Sequence, residues 1–187
     1  RLQQVRSAAD LGIDAGEAVL DLAKVQERLS GLLGELRLGN TSLLTSFGVE
    51  IVEGEAKLAG ARSVVVDGRS LQADAVILAA GARSAPPPLT TKFLLSNRQA
   101  VALKEPPQRL LVWGGDHVEV EFAQLFALLG SQVTLVTEAS QILPAEDYEI
   151  GQRLQGILAE QGVKVLVGAK ITGLQDQSAG VEATIQQ

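Results

Sequence analysis

The strongest constraint on this chain is an ordered alternation in its second half. Leu110 to Trp113 is an apolar run that ends at Gly114-Gly115. A helical pattern follows from about Val118 to Leu129, with Gly130 placed as its C-terminal stop. Gln132 to Val136 is a second apolar run. The next helical pattern, about Glu146 to Gln161, sets Ile150, Leu154, Ile157 and Leu158 on one face, and a third run spans Val163 to Val167. Parallel strands need a crossover, and a helix between consecutive strands is the usual one. The spacing therefore predicts an α/β fold with a parallel sheet.

The first half is less uniform. From Asp21 to about Phe47, Leu22, Val25, Leu29, Leu32, Leu33 and Leu36 recur in steps of three and four, which predicts an amphipathic helix packed on a sheet. Gly31, Gly34 and Gly39 weaken it, so a break is expected near Gly39-Asn40, with a second helical piece through Leu43 and Leu44. Val49 to Glu53 alternates apolar and charged residues as a strand would. Ser63 to Val66, the Asp67-Gly68 pair and Leu71 to Ala73 together predict a hairpin. Ala75 to Ala80 is wholly apolar up to Gly81, as in a strand buried on both faces. Pro86-Pro87-Pro88 stops regular structure and sets the expected domain boundary, dividing the chain into 1–88 and 89–187, with a crossing segment to about Gln108.

Composition removes several function classes. A formal net charge of −6 disfavours a nucleic-acid partner, which would draw on Lys and Arg. No cysteine is present, so thiol catalysis and thiolate metal sites are excluded within these residues. His117 is the single histidine, leaving no material for a histidine metal site or a catalytic triad, and no metal is expected. No apolar run has the roughly 18–20 residues of a membrane span. Arg1 to Asp10 lacks a secretory pattern, so a soluble, cytoplasmic chain is expected.

Several segments resemble one family in order and spacing. Gly48 to Ala56 looks like the flavin-domain stretch of dihydrolipoamide dehydrogenase, mercuric reductase and their relatives. Val76 to Arg83 resembles the strand and turn that close that domain. Glu121-Phe122-Ala123, Leu129-Gly130, Val133 to Val136, Ile142-Leu143-Pro144 and Gly162 to Val165 then follow in the family's order. The resemblance spans about Ala8 to Ile185 and implies Rossmann-like FAD- and NAD(P)-binding domains with parallel sheets, as two incomplete nucleotide-binding units. By the same resemblance, the first flavin-binding unit and the redox cysteine pair should precede Arg1. The dimerisation domain should follow Gln187. Other protein chains supplying those segments are possible partners.

The resemblance implies FAD and NAD as cofactors. Gly54, Ala56, Ala80, Gly81 and Ala82 would lie on the FAD side. Gly114, Gly115, Asp116, Glu119, Glu121, Thr137, Glu138 and Ile171 would lie on the NAD side. A dinucleotide turn needs a first glycine for its tight bend, a second for backbone approach to the pyrophosphate, and a third for helix–strand contact. Gly114 holds the first position, but Asp116 and Glu119 hold the second and third. Both acids oppose a diphosphate, so binding on the NAD side is expected to be weakened. The family's ribose-binding position falls on Thr137, with Glu138 one residue later. No arginine lies between Arg109 and Arg153 to meet a 2′-phosphate, which favours NAD over NADP. His117 reads as an exposed turn residue with a local ion pair.

Two functions remain open, the first of them as what the resemblance implies. One is part of a disulfide oxidoreductase that moves electrons from NAD(P)H through FAD to a disulfide and is inactive by itself. The other is a non-catalytic interaction or scaffold module that kept the fold and lost its cofactors, or a designed or dissected chain.

Overall fold

The computed structural model describes residues 2–16, 19–83, 85 and 87–187. The chain divides into two compact units, one formed by Arg1–Gln26 with Pro86–Gln187 and the other by Glu27–Ala85. Pro86, the first of the three prolines at the expected boundary, lies outside the described residues.

The larger unit is built on three parallel strands, β4 (Arg109–Trp113), β5 (Gln132–Val136) and β6 (Lys164–Leu166), side by side in that order. The register runs from Arg109 opposite Gln132 to Trp113 opposite Val136, and from Thr134 opposite Lys164 to Val136 opposite Leu166. Helix α4 (His117–Leu129) connects β4 to β5, and α5 (Tyr148–Glu160) connects β5 to β6. Gly130 ends α4 in the left-handed conformation expected of a C-terminal glycine, at φ 105°.

Alternation along each strand feeds two separate cores. Leu110 and Val112 of β4 join Val133 and Leu135 of β5 beneath Val120, Ala123 and Phe126 of α4 and Leu158 of α5. Leu111 and Trp113 instead join Val136 in a second core. That second face is covered by an antiparallel hairpin, β7 (Lys170–Gln177) and β8 (Gly180–Gln186), through Ile171, Leu174, Ala183 and Ile185. A parallel sheet must be covered on both faces, and here a hairpin does what a further helix layer would otherwise do. Neither β7 nor β8 was anticipated from the periodicity. The expected crossing segment also contains a short helix, α3 (Asn97–Val101), capped reciprocally by Ser96 and Gln99.

The smaller unit departs further from expectation. After a short helix α1 (Leu2–Arg6), helix α2 (Leu22–Ser46) begins in the first unit and runs unbroken through Gly31, Gly34 and Gly39. Glycine costs a helix about 1 kcal/mol relative to alanine, but it keeps its N–H, so the hydrogen-bond ladder survives where proline would cut it. The helix buries none of its residues, in place of the expected packing on a sheet. Val49 to Glu53 forms no strand. Strands β1 (Ala56–Gly60), β2 (Ser63–Val66) and β3 (Arg69–Gln72) form an antiparallel meander. The Asp67-Gly68 hairpin stands as expected, with Val66 opposite Arg69 and both turn residues at positive φ, 45° and 88°.

Ala75 to Ala80 is not a strand. Ile77 and Leu78 are 90% and 72% exposed, and no strand among the described residues pairs with this run. A buried strand needs neighbours for its backbone groups as well as apolar side chains. Among the described residues, no helix is long and apolar enough to cross a membrane.

Candidate functional site

The site is built where β4 gives way to α4. Gly114 leaves the strand at φ 130°, a conformation side-chain-bearing residues rarely adopt, and its N–H donates to the Val136 carbonyl at 2.9 Å. The Gly115 carbonyl accepts from the Leu143 N–H at 2.6 Å, which fastens the loop after β5 to the turn. Gln141, only 9% exposed, braces that loop by donating to the Leu143 and Glu146 carbonyls.

Asp116 is the N-cap of α4. Its carboxylate accepts from the His117 N–H at 2.8 Å and from the N–H of Glu119, while the Glu119 carboxylate reaches back to the Asp116 N–H at 3.1 Å. This is a reciprocal capping box. Of the four N–H groups that a helix start leaves without partners, those of Asp116, His117 and Glu119 are satisfied by the chain's own acids. The His117 N–H, with the adjacent His117 ring as the lesser cause, holds the Asp116 carboxyl below its ordinary value. His117 itself is exposed, its Nδ1 lying 3.2 Å from Asp116 Oδ1.

The turn's glycines are required by neighbouring side chains. A Cβ on Gly114 would stand 2.7 Å from Glu119 Cγ, and one on Gly115 would stand 2.8 Å from Thr137 Cβ. The structure thus brings Gly114, Gly115, Asp116, Glu119 and Thr137 together. Thr137 is buried, with its N–H on the Leu166 carbonyl and its hydroxyl accepting from the Ala139 N–H. Glu138 is exposed and lies 3.9 Å from Lys170 Nζ. Glu121 is exposed on α4, and Ile171 is a core residue of β7 at 2% exposure.

Of the residues that the resemblance puts on the flavin side, Ala56 begins β1 and Gly54 lies two residues before it. The Asp67 carboxylate folds over Gly54 and accepts from the Glu55 N–H at 3.1 Å. Ala80, Gly81 and Ala82 lie in exposed, irregular chain, and the described residues give 74–83 no hydrogen bond to Gly54 or Ala56.

A diphosphate at the start of α4 needs free N–H groups and open backbone above the first glycine. Asp116 and Glu119 take three of the four N–H groups, leaving that of Val118, and Glu119 covers the first glycine. A nicotinamide dinucleotide does not fit this turn as it stands. The capping box was the functional feature missed from sequence. Its signal was present, since Asp116-His117-Val118-Glu119 ahead of an apolar helix is the capping-box pattern.

A family model described as pyridine nucleotide-disulphide oxidoreductase matches residues 8–187. The dihydrolipoyl dehydrogenase of Bacillus subtilis (strain 168) is 32% identical over 187 residues, covering 95% of this chain and 41% of that protein. A mercuric reductase of Bacillus cereus is 32% identical over 163 residues, covering 85% of this chain and 26% of the reductase. Among solved structures, LpdA from Mycobacterium tuberculosis superposes with a TM-score of 0.81 at 25% identity, over 98% of this chain and 42% of that one. The HOCl-induced flavoprotein disulfide reductase RclA from Escherichia coli gives 0.78 at 26% identity, with 98% and 42% covered. The chain therefore spans well under two thirds of the length of these relatives.

Proposed function

Because the chain belongs to the pyridine nucleotide-disulphide oxidoreductase family, we propose that it is part of an FAD- and NAD(P)-dependent disulfide oxidoreductase of the dihydrolipoamide dehydrogenase type. Residues 1–88 are assigned to the later part of the FAD domain and 89–187 to the nicotinamide domain. The proposed whole enzyme moves electrons from NAD(P)H through FAD to a disulfide. With no cysteine, this chain contributes framework and not the reacting sulfurs. The observation that carries the reading is the parallel β4-β5-β6 sheet, with α4 springing from the Gly114-Gly115 turn at the end of β4. In open α/β sheets, ligands bind at the carboxyl ends of the strands, where this turn lies.

The flavin half of the proposal is tested by adding the purified chain to FAD and following flavin fluorescence. Saturable quenching that weakens on Gly81→Glu substitution is the expected result. No response at excess FAD would remove Gly54, Ala56, Ala80, Gly81 and Ala82 from the adenine side of a flavin.

The capping box favours a second reading, a module that kept the fold and has no cofactor of its own. Absence of both FAD and NADH binding, with native circular dichroism, would select it.

A further inference from the structure

We infer that Glu119 and Asp116 act as built-in occupants of the turn after β4, closing it to the pyrophosphate of a nicotinamide dinucleotide. This rests on the reading of residues 89–187 as a nicotinamide domain. It adds that the domain is closed by two side chains and remains otherwise competent.

Three features support the inference together. The Glu119 carboxylate receives the Asp116 N–H at 3.1 Å, and its side chain lies over Gly114 so closely that a Cβ there would be 2.7 Å from Glu119 Cγ. Occupation is therefore both of the hydrogen-bond donor and of the space. Second, the turn beneath is held in place on both sides, by the Gly114 N–H on the Val136 carbonyl and the Leu143 N–H on the Gly115 carbonyl. An arriving diphosphate would have to displace Glu119, since the backbone cannot readily retreat. Third, the stretch between Arg109 and Arg153 has neither lysine nor arginine to offset the acids Asp116, Glu119 and Glu121. A diphosphate would meet like charge from the turn itself, and Lys170, from outside that stretch, is already 3.9 Å from Glu138.

The framework under the box is intact: the strand end, the glycine bend and the start of the helix are all present. Removing the two occupants should reopen it. Glycine is a tolerated N-cap, so Asp116→Gly leaves the helix start viable. Glu119→Gly frees the Asp116 N–H and uncovers Gly114.

The test is an NADH titration of the chain followed by Trp113 fluorescence, since Trp113 directly precedes Gly114 on β4. The wild-type chain should show no saturable response up to millimolar NADH. D116G/E119G should bind at least about 100-fold more tightly than that limit, two decades on the affinity scale. The pair D116N/E119Q keeps both capping bonds without their charges and should gain about tenfold. It also guards against loss of fold in the glycine variant, which circular dichroism would reveal. Micromolar binding by the wild-type chain would overturn the inference and leave the nicotinamide-domain reading standing. Silence from the wild type and both folded variants would overturn the inference together with that reading.

Discussion

Residues 109–187 and 27–85 are both rich in leucine, valine and isoleucine, yet they use these residues differently. In the first, Leu135, Ile142 and Leu158 are fully buried between a sheet and its helices. In the second, Val66 is the one buried hydrophobic among the described residues, while Leu36, Leu43 and Ile77 stand largely in solvent. Apolar pattern states what a segment could bury; whether it does depends on partners within reach. Strands β4, β5 and β6 find one another across single helices, so a local pattern suffices. Ala75 to Ala80 has the composition of a central strand and no strand beside it. A similar device appears in both regions: an acidic side chain folds onto the backbone over a glycine, Glu119 over Gly114 and Asp67 over Gly54.

The contrast is tested most severely by truncating one leucine in each region. Leu135→Ala removes a fully buried side chain and should cost about 2–5 kcal/mol. Leu78→Ala, at a position 72% exposed, should change stability by less than about 0.5 kcal/mol. Denaturant unfolding followed by Trp113 fluorescence and far-ultraviolet circular dichroism reads both. A loss at Leu78 as large as that at Leu135 would break the comparison.

Glycines supply the next effect in size. A Cβ on Gly151 would lie 2.8 Å from the Ile142 carbonyl oxygen, backbone that cannot swing aside. Gly151→Ala should therefore destabilise by about 1–3 kcal/mol. Gly34, inside α2, has open space around it, so Gly34→Ala should stabilise that helix by about 0.5–1 kcal/mol. Thermal melts of the two variants should shift in opposite directions.

The smallest effect is on pH. Asp116 has a depressed carboxyl, chiefly because it accepts the His117 N–H. A carboxyl lowered in the folded state stabilises above its unfolded value and loses that contribution as pH falls through the folded value. The N-terminal turn of α4 should thus loosen only below the ordinary aspartate value of about 3.9. Following the His117 amide resonance during acid titration checks this; a midpoint above that value would contradict it.

How much was legible in advance follows the same division. The three parallel strands and helices α4 and α5 were readable, because each is a continuous periodic run, with Gly114, Gly130, Gly162 and Gly168 shortly after four of the five. The Asp67-Gly68 hairpin was readable from its turn residues. The β7–β8 hairpin was not, since its outward residues are polar and a register irregularity between Ile171 and Gly173 sets the inward residues of β7, Ile171 and Leu174, three apart instead of two. The exposure of α2 and of 75–80 was illegible for another reason: periodicity reports a face and says nothing of what covers it. At the turn, sequence placed Asp116 and Glu119 at the glycine positions. It was the geometry that paired them, turning two unfavourable charges into one capping arrangement.

Amide-resolved NMR of the wild-type chain during NADH addition tests the closed turn most directly. The Asp116 and His117 N–H groups are held by Glu119 and Asp116 carboxylates, so their resonances should stay in place through millimolar NADH. Saturable movement of those two resonances at micromolar NADH would contradict the account, because it would show a pyrophosphate seated where the chain's own acids are placed.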